Sequence, residues 1–240
     1  LSLTENPLQR HPFGPAYIFE AGISHMARFP VKGFLWYQGE SNAHFPELHA
    51  KILPELVSNW RRNWKNESLP FYYAQLSSLN RPSWPLFRDS QRRLLKIIPH
   101  SGMIVTSDIG DHADVHPRNK KSVGDRFALL ALCGTYEKNI SGKSPLPEKA
   151  EYEGNTLVIT FSGASGLTTS DGEKVSEVEI AVDGGLFKPA EVKLKENRML
   201  IYAKDITSVR YGWKPYSEGN LVNEAGLPAS TFSLEVKKSE

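Results

Sequence analysis

The sequence predicts an α/β fold with a parallel sheet, followed by a small all-β module. Two observations support this prediction. Between about residues 16 and 138, apolar runs typical of buried strands alternate with helical patterns. After residue 148 the apolar runs become short and β-like. A proline-containing linker, residues 144–147, separates the two patterns, so we expect an α/β domain over residues 1–143 and a β-rich module over residues 144–240.

Three apolar runs in the first part predict strands of the parallel sheet. They lie at residues 31–37, 69–76 and 102–107. The first run is short, continuous and bounded by glycine. Such a run favours a strand that is buried on both faces, as strands of parallel sheets are.

Helical patterns separate these strands. The patterns cover residues 16–29 and 84–98, and two more helices are expected to begin at Pro46 and Pro117. Proline suits the first position of a helix because the N–H that it lacks would have no helical partner there. Apolar residues at helical spacing predict one buried face for each of the last two. The expected faces are Leu48, Ile52, Leu56, Trp60 and Trp64 after Pro46, and Val123, Phe127 and Leu130 after Pro117.

The module after residue 148 carries short β-like runs and one hairpin signal. The runs lie at residues 156–161, 178–182, 191–194, 199–202 and 209–213. Asp183-Gly-Gly185 stands between two of them and favours a tight turn. Residues 190–195 alternate apolar and charged side chains, which predicts a half-buried antiparallel strand.

Composition excludes several classes of function. The 240 residues carry a net charge of +2, which is too small to indicate binding to nucleic acid or to an acidic membrane surface. The single cysteine, Cys133, excludes an intrachain disulfide and a cysteine-based metal cluster. No apolar run reaches the roughly 18 residues of a membrane-spanning helix.

Polar loops after two predicted strands hold the candidate active-site residues. Residues 38–42 follow the first strand and residues 108–116 follow the third, where open parallel sheets place their binding sites. His116, directly before the helix expected at Pro117, would face the positive end of that helix and stay neutral, as a general base must. Several aspartates precede it closely enough for one to orient its ring, as in a Ser-His-Asp arrangement. They are Asp108, Asp111 and Asp114.

Other interpretations of these loops stay open. Residues 108–116 could be a solvated acidic loop, or they could ligate a metal, although their spacing builds no cage of three or four ligands. Gly39-Glu-Ser-Asn-Ala43 nearly matches the Gly-x-Ser-x-Gly nucleophile elbow, which would make Ser41 the nucleophile. Against this, an elbow needs its helix to begin at the serine, and the helix signal comes five residues later at Pro46.

Several segments are specific enough to compare with known families. They are Lys32-Gly-Phe-Leu-Trp-Tyr-Gln-Gly-Glu-Ser-Asn-Ala43, Leu69-Pro-Phe-Tyr-Tyr-Ala-Gln-Leu-Ser77, Phe87-Arg-Asp-Ser-Gln91, Asp114-Val-His-Pro117 with Gly124-Asp-Arg126, Val209-Arg-Tyr-Gly-Trp213, and Asn220-Leu-Val-Asn-Glu-Ala-Gly-Leu-Pro-Ala-Ser230. Together they span nearly the whole chain. They closely resemble the sialate O-acetylesterase family, a branch of the SGNH-hydrolase superfamily related to acetylxylan esterases. The resemblance implies a flavodoxin-like three-layer α/β domain and the hydrolysis of O-acetyl esters on sugars, typically on sialic acids.

The resemblance also implies a role for each site residue, without metal or cofactor. His116 would be the general base. Asp114 is the first choice for the acid that orients it, since position 113, where the superfamily usually has this aspartate, is alanine. Asp108 and Asp111 stay open, as does Glu40 of the Gln-Gly-Glu motif. The Gly39 amide and the Asn42 side chain would form the oxyanion hole. The residues implied to line the pocket or to brace the loops are Gln38, Gln75, Arg88 and Gln91.

The nucleophilic serine of this family lies in a Gly-Gln-Ser-Asn type block near the start of the hydrolase domain, and no such block occurs here. We therefore expect the chain to correspond to the C-terminal part of the enzyme, with the N-terminal part of the same enzyme as its partner. An O-acetylated sugar would be the substrate and the location periplasmic or secreted. Two alternatives remain: an acetylesterase for xylan or another glycan, and a non-catalytic fragment that binds carbohydrate or completes a fold.

Overall fold

A parallel sheet of three strands forms the centre of the first part. The structure is a computed structural model and describes residues 14–164 and 166–236. The strands are β1 (Phe34–Trp36), β2 (Phe71–Gln75) and β3 (Ser101–Val105), paired in the order β1-β2-β3. Each lies within one of the predicted runs or within one residue of it. Every residue of β2 is buried, because β2 is the central strand and helices cover both of its faces.

Four helices belong to this part. They are α1 (Ser24–Met26), which continues a π-helical segment at Phe19–Ile23, α2 (Pro46–Asn63), α3 (Trp84–Leu94) and α4 (Lys120–Gly134). Leu53 of α2 and Leu94 of α3 share one core with the sheet, while Phe127 of α4 packs in a second core with Tyr72 and Ile104. The sheet therefore carries α2 and α3 on one face and α4 on the other. The predicted buried face of α4 is confirmed: Val123, Phe127 and Leu130 are all buried.

The buried face of α2 differs from the prediction. The helix begins at Pro46, as predicted, but Leu48 and Ile52 are exposed. The buried residues His49, Leu53, Val57 and Arg61 lie one position further along the chain at each turn. Leu56 and Trp60 of the predicted face are partly buried against the core, so the prediction was wrong for Leu48 and Ile52, because it followed apolar character alone. Arg61 is buried because its guanidinium finds carbonyl acceptors at Leu69, Pro99 and His100, which no periodicity in the sequence announces.

The first strand is not buried on both faces. Phe34 and Trp36 pack toward α2, but Leu35, on the other face, is 61% exposed. Among the described residues β1 pairs with β2 alone, so its other edge carries no strand. The expectation of burial on both faces was therefore wrong for the described chain, because β1 is an edge strand and no described element covers Leu35.

The start of α4 also corrects the sequence analysis. The helix begins at Lys120, and the side chain of Asn119 caps it by accepting a hydrogen bond from the amide of Ser122. Pro117 is three residues too early to be its first residue. His116 therefore does not stand at the positive end of α4, and the helix-dipole argument for a neutral ring does not apply to it.

The second part is built from antiparallel strands. They are β4 (Leu146–Glu153), β5 (Thr156–Ser162), β6 (Leu167–Thr169), β7 (Val178–Val182), β8 (Lys188–Pro189), β9 (Lys193–Lys195), β10 (Arg198–Ile201), β11 (Ile206–Tyr211), β12 (Leu221–Asn223) and β13 (Phe232–Glu235). Two four-stranded sheets, β4-β5-β10-β9 and β13-β11-β7-β8, contribute side chains such as Ile159 and Val209 to one core. The five predicted runs are confirmed with shifted bounds. Strands β4, β6, β8, β12 and β13 were not predicted.

The predicted turn and the predicted alternation are both confirmed, but the turn does not pair the two predicted runs on either side of it. Asp183 and Gly184 have φ of +49° and +72° and lead from β7 to its antiparallel neighbour β8. The run at residues 191–194 gives β9, which pairs with β10 in the other four-stranded sheet. Val192 and Leu194 are half-buried, whereas Lys193 and Lys195 beside them are exposed. Local turn chemistry and period-two patterning thus survive in the folded chain.

Candidate active site

The loops that follow β1, β2 and β3 lie at one edge of the sheet. The strands are parallel, so their carboxyl ends meet there. A small apolar cluster joins the loops. Tyr37, which follows β1, packs against it, and so does Val115, which stands between Asp114 and His116. The buried members of the cluster are Ala43, Leu76, Leu79, Trp84 and Phe87. The two candidate loops, after β1 and after β3, therefore pack against the same apolar cluster.

The loop after β1 folds on itself around Gly39. Gly39 has φ of +149°, and a Cβ there would lie 2.9 Å from the Phe87 ring, so a larger residue does not fit. The Gly39 amide donates to Glu40 Oε2 at 2.9 Å, and Gln38 Nε2 donates to Asn42 Oδ1 at 3.3 Å. The amide expected to serve the oxyanion hole therefore donates to Glu40 in this structure, and a substrate oxygen would have to replace that carboxylate.

The Asp114 carboxylate and the His116 ring form a pair at the surface of the loop after β3. Asp114 Oδ1 lies 3.2 Å from His116 Nδ1 and also accepts the His116 amide at 2.8 Å. The two side chains are 56% and 82% exposed. An aspartate that holds Nδ1 leaves Nε2 directed elsewhere, which is the arrangement a general base needs. Of the candidate acids, Asp114 is the one in contact with His116.

The other candidate acids have different partners. Asp108 forms a two-point ion pair with Arg126, with N–O distances of 2.7 and 2.6 Å. Asp111 Oδ1 accepts the amides of Ala113 and Asp114, and these hydrogen bonds lower the pKa of its carboxyl. Glu40 is engaged with the Gly39 amide. Asp108 and Asp111 thus shape the loop: the first ties its start to α4, and the second folds the turn that presents Asp114.

Ser41 is exposed and lies in a single 3-10 turn, Glu40–Asn42. The next helix begins at Pro46, so the strand–serine–helix geometry of a nucleophile elbow is absent at this position. Within residues 14–164 and 166–236, no hydrogen bond joins a serine hydroxyl to His116. The described chain therefore holds a candidate base and its acid without a serine in contact with them.

Three predicted pocket or bracing residues are buried and bond main-chain groups. Gln75 donates to the Arg88 carbonyl at 2.8 Å and accepts the Thr231 amide at 3.1 Å. Gln91 bonds the main chain at Ala74 and Leu76. None of the three side chains is more than 1% exposed, so they reach no open pocket in this structure. Their contacts are those of bracing residues.

Arg88 joins the two parts of the chain. Its guanidinium donates to the carbonyls of Gly212, Lys214 and Pro215, which follow β11, and to Ser78 Oγ. Burial lowers the pKa of Arg88 to about 10, which still leaves it charged at neutral pH. Next to it, the buried Asp89 accepts from Arg92 at 2.8 Å and from the Ser233 amide at 3.3 Å. We call this interface, formed by Gln75, Arg88 and Asp89 with residues 212–233, the seam.

Some residues near the site were not singled out in the sequence. Asp89 stands within a quoted motif, yet no spacing assigns it a partner 144 residues away. Tyr216 of the β part stacks on His112 in the loop of His116. His49 of α2 is buried against the Phe87 ring with both nitrogens unpartnered within the described chain, and burial lowers its pKa to about 4. Only tertiary contact gives these residues their significance.

The described residues contain no group of three or more His, Cys, Asp or Glu side chains that could hold a metal ion. Within the same residues, no helix has both the length and the apolar character needed to cross a membrane.

Comparison with known proteins shows what this chain is similar to. The sequence model of carbohydrate esterases described as sialic acid-specific acetylesterases matches residues 17–132, which include both loops. Over these residues the chain is similar to that family. Mouse sialate O-acetylesterase is 29% identical over 233 residues, covering 84% of this chain and 43% of the mouse protein. The human sialate O-acetylesterase is 28% identical over 257 residues, covering 92% of this chain and 49% of the human protein.

A solved structure is similar to this chain in fold as well. The crystal structure of a carbohydrate acetylesterase from Xanthomonas citri superposes with a TM-score of 0.81 at 31% identity. The match covers 87% of this chain and 51% of that protein. Since residues 1–143 are much less than 87% of the chain, the match extends well into the β part. The chain spans about half the length of the relatives it matches.

Proposed function

We propose that the chain supplies the general base of a carbohydrate O-acetylesterase that removes acetyl groups from sialic acids. The observation that carries the proposal is the exposed Asp114–His116 pair at the carboxyl edge of the sheet. The match to the acetylesterase family model and the sialate O-acetylesterase relatives support the choice of substrate. In this proposal the α/β part belongs to a flavodoxin-like three-layer SGNH domain, and residues 144–240 form its β-rich module.

The mechanism is acyl transfer through a serine that lies outside this chain. The serine hydroxyl attacks the acetyl carbonyl while His116 Nε2 takes its proton. His116 then gives that proton to the departing sugar oxygen, which leaves an acetyl-serine. Water attacks this ester, with its proton taken by His116 and returned to the serine, and acetate leaves. Asp114 holds Nδ1 and stabilises the imidazolium that forms in each half of the reaction.

The loop of Gly39 would stabilise the oxyanion of the tetrahedral intermediate. For this, the Gly39 amide must exchange the Glu40 carboxylate for the substrate oxygen, and the Asn42 side-chain amide provides a second donor. Removing one such donor typically costs about 10²–10³-fold in kcat. Asn42→Ala should therefore lower kcat in this range, while Glu40→Gln tests whether the carboxylate is needed at all.

The partner that carries the serine would dock at the open edge of β1. That edge has no strand partner among the described residues, and Leu35 exposes most of its side chain. The helical segment before β1 adds further exposed apolar side chains: Ile18, Met26 and Phe29. An N-terminal portion of the same enzyme, pairing in parallel with β1, would bury this surface. A periplasmic or secreted location belongs to the same proposal.

The test compares four proteins with p-nitrophenyl acetate and with O-acetylated sialic acid. They are the 240-residue chain, the chain preceded by its N-terminal portion, and the His116→Ala and His100→Asn variants of the longer protein. His116→Ala should lower kcat by about 10²–10⁴-fold. His100→Asn, at the opposite end of the sheet, should not. Undiminished turnover of His116→Ala would exclude His116 as the base.

Activity of the 240-residue chain by itself would instead restore Ser41 as the candidate nucleophile, to be checked with Ser41→Ala. The Xanthomonas protein is described as a carbohydrate acetylesterase, which keeps acetylated xylan or another glycan as the second candidate substrate. A panel of acetylated glycans separates these two. Binding without turnover of any of them by the longer protein would favour the non-catalytic alternative.

A further inference from the structure

The β part reaches the active-site edge through the segment after β11, residues 212–217. Its Tyr216 ring stacks on the ring of His112, with 3.5 Å between centroids and 19° between planes. His112 lies in the loop after β3, four residues before His116. A side chain from the β part is thus in direct contact with the loop that carries the candidate base.

This segment is held firmly where it leaves the β part. Arg88, which is fully buried, donates to the carbonyls of Gly212, Lys214 and Pro215. The Ser217 amide donates to Ser78 Oγ at 3.1 Å. Charge-assisted bonds in a buried setting fix a segment more strongly than exposed ones do. Tyr216 therefore contacts His112 from a segment that these hydrogen bonds hold in place.

The loop after β2 lies between residues 212–217 and the loop that carries His116. Leu79 donates its amide to the Pro215 carbonyl at 3.4 Å, and Asn80 donates its amide to the His112 carbonyl at 3.2 Å. Gly110 packs so closely on Ser78 that a Cβ there would lie 2.1 Å from the Ser78 carbonyl oxygen. The loop after β2 thus connects the seam with the His116 loop, and its contacts help to fix where the His116 loop lies.

His116 itself has little else to hold it. Its ring is 82% exposed, and its side-chain bond goes to Asp114 of the same loop. The pair therefore moves with the loop. A displacement of about 1 Å in a group that must meet a reacting atom can cost 10²-fold in rate. Contacts that fix the loop from outside matter for the reaction even though they touch no substrate.

We propose that Tyr216 is a positioning residue for His116, acting through its stack on His112. The β part would then complete the active site by holding the base in place. The proposal rests on the proposed function for the role of His116, but the placement of the loop can be measured without activity.

The decisive variants are Tyr216→Ala, which removes the ring, and Tyr216→Phe, which keeps it. Tyr202→Ala, which removes the ring of a 61% exposed tyrosine of the β part, is the control. Hydrogen exchange of residues 106–118 is followed in the 240-residue chain, and kcat and KM are measured in the longer protein that contains the chain. Tyr216→Ala should speed exchange of the His116 amide and lower kcat about 10- to 100-fold with KM within about twofold. Tyr216→Phe should restore both.

Removing the stack from the other side keeps the test valid if Tyr216→Ala folds poorly. His112→Ala should have the same effect on exchange and on kcat, and the double variant should add little to either single one. Exchange and kcat of Tyr216→Ala equal to those of Tyr202→Ala would overturn the proposal, as would failure of Tyr216→Phe to restore them. Loss of loop protection in a protein whose His116→Ala variant is fully active would instead refute the proposed function and leave the positioning contact standing.

Discussion

The seam and the open edge of β1 are opposite kinds of surface in one molecule. The seam buries charged and amide side chains completely, and its hydrogen bonds run between residues up to 156 positions apart. The β1 edge exposes Leu35 and the apolar residues of the segment before it. Burial of a charge is tolerated only where its bonds are made within the protein, and exposure of a large apolar patch marks an interaction surface. The seam is an interface whose polar groups are paired within the chain, whereas the β1 edge is a surface that the described residues leave uncovered.

Replacement of Arg88 should give the largest loss of stability. Arg88→Met keeps the aliphatic bulk but removes the charged donor that the carbonyls of Gly212, Lys214 and Pro215 share inside the seam. We expect the free energy of unfolding in urea to fall by about 3–5 kcal/mol. Arg93→Met is the control, because Arg93 pairs with Asp89 from an exposed position and should cost less than about 1 kcal/mol. Equal losses for the two variants would mean that the seam is not held by Arg88.

The pH dependence of stability tests His49, a buried side chain that, unlike those of the seam, has no hydrogen-bond partner among residues 14–164 and 166–236. Burial lowers the pKa of His49 to about 4, whereas an unfolded histidine titrates near 6.5. Between these values the unfolded chain binds a proton that the folded chain does not. The free energy of unfolding should therefore decrease as the pH falls from about 6.5 to about 4, by up to about 3 kcal/mol.

Urea denaturation at several pH values between 7 and 4 measures this slope. His49→Leu should flatten it, whereas His100→Asn, at an exposed site, should leave it as it is in the parent chain. A slope that does not change in His49→Leu would show that other groups cause the pH dependence.

Gln75 tests the seam through a neutral side chain. Gln75→Leu leaves the Thr231 amide without its acceptor and removes the second hydrogen bond of the Arg88 carbonyl, which lies within α3, in a fully buried place. We expect a loss of about 2–3 kcal/mol in the free energy of unfolding, less than for Arg88→Met, since no charge is involved. Gln38→Leu, at an exposed position of the loop after β1, should change stability by no more than about 0.5 kcal/mol. A larger loss of stability in Gln38→Leu than in Gln75→Leu would contradict the expectation that the hydrogen bonds of the seam stabilise the chain more than those of the exposed loop.

The smallest effect on folding is expected at the β1 edge. Leu35→Lys should change the stability of the 240-residue chain by less than about 0.5 kcal/mol, because Leu35 is mostly exposed. It should weaken binding of the separately produced N-terminal portion about 10- to 100-fold, in keeping with the burial of one leucine. Leu186→Lys, in the turn between β7 and β8, is the control and should bind normally. Equal binding by the two variants would contradict docking at β1.

Much of the fold could be predicted from local patterns. The three parallel strands, the start of α2 at Pro46, the hairpin at Asp183-Gly-Gly185 and the alternation in residues 190–195 all follow from side-chain period and turn chemistry. Two of the errors have a common origin: the buried face of α2 and the exposed side of β1 depend on which neighbours are present. The start of α4 at Lys120 follows instead from the Asn119 cap, a local signal that the prediction passed over in favour of Pro117. Periodicity shows that a residue is apolar, but it does not show what covers it.

The sequence by itself determined the candidate site as a set of residues: two polar loops after parallel strands, with His116 and its nearby aspartates. The tertiary structure decided the partners. Asp108 is held by Arg126, Asp111 folds a turn, and Asp114 alone of the three contacts His116. The tertiary structure also places Arg88 and Gln75 in the seam. The physical reason is that local order needs only neighbours in sequence, whereas buried hydrogen bonds and ring contacts need groups brought together from distant parts of the chain.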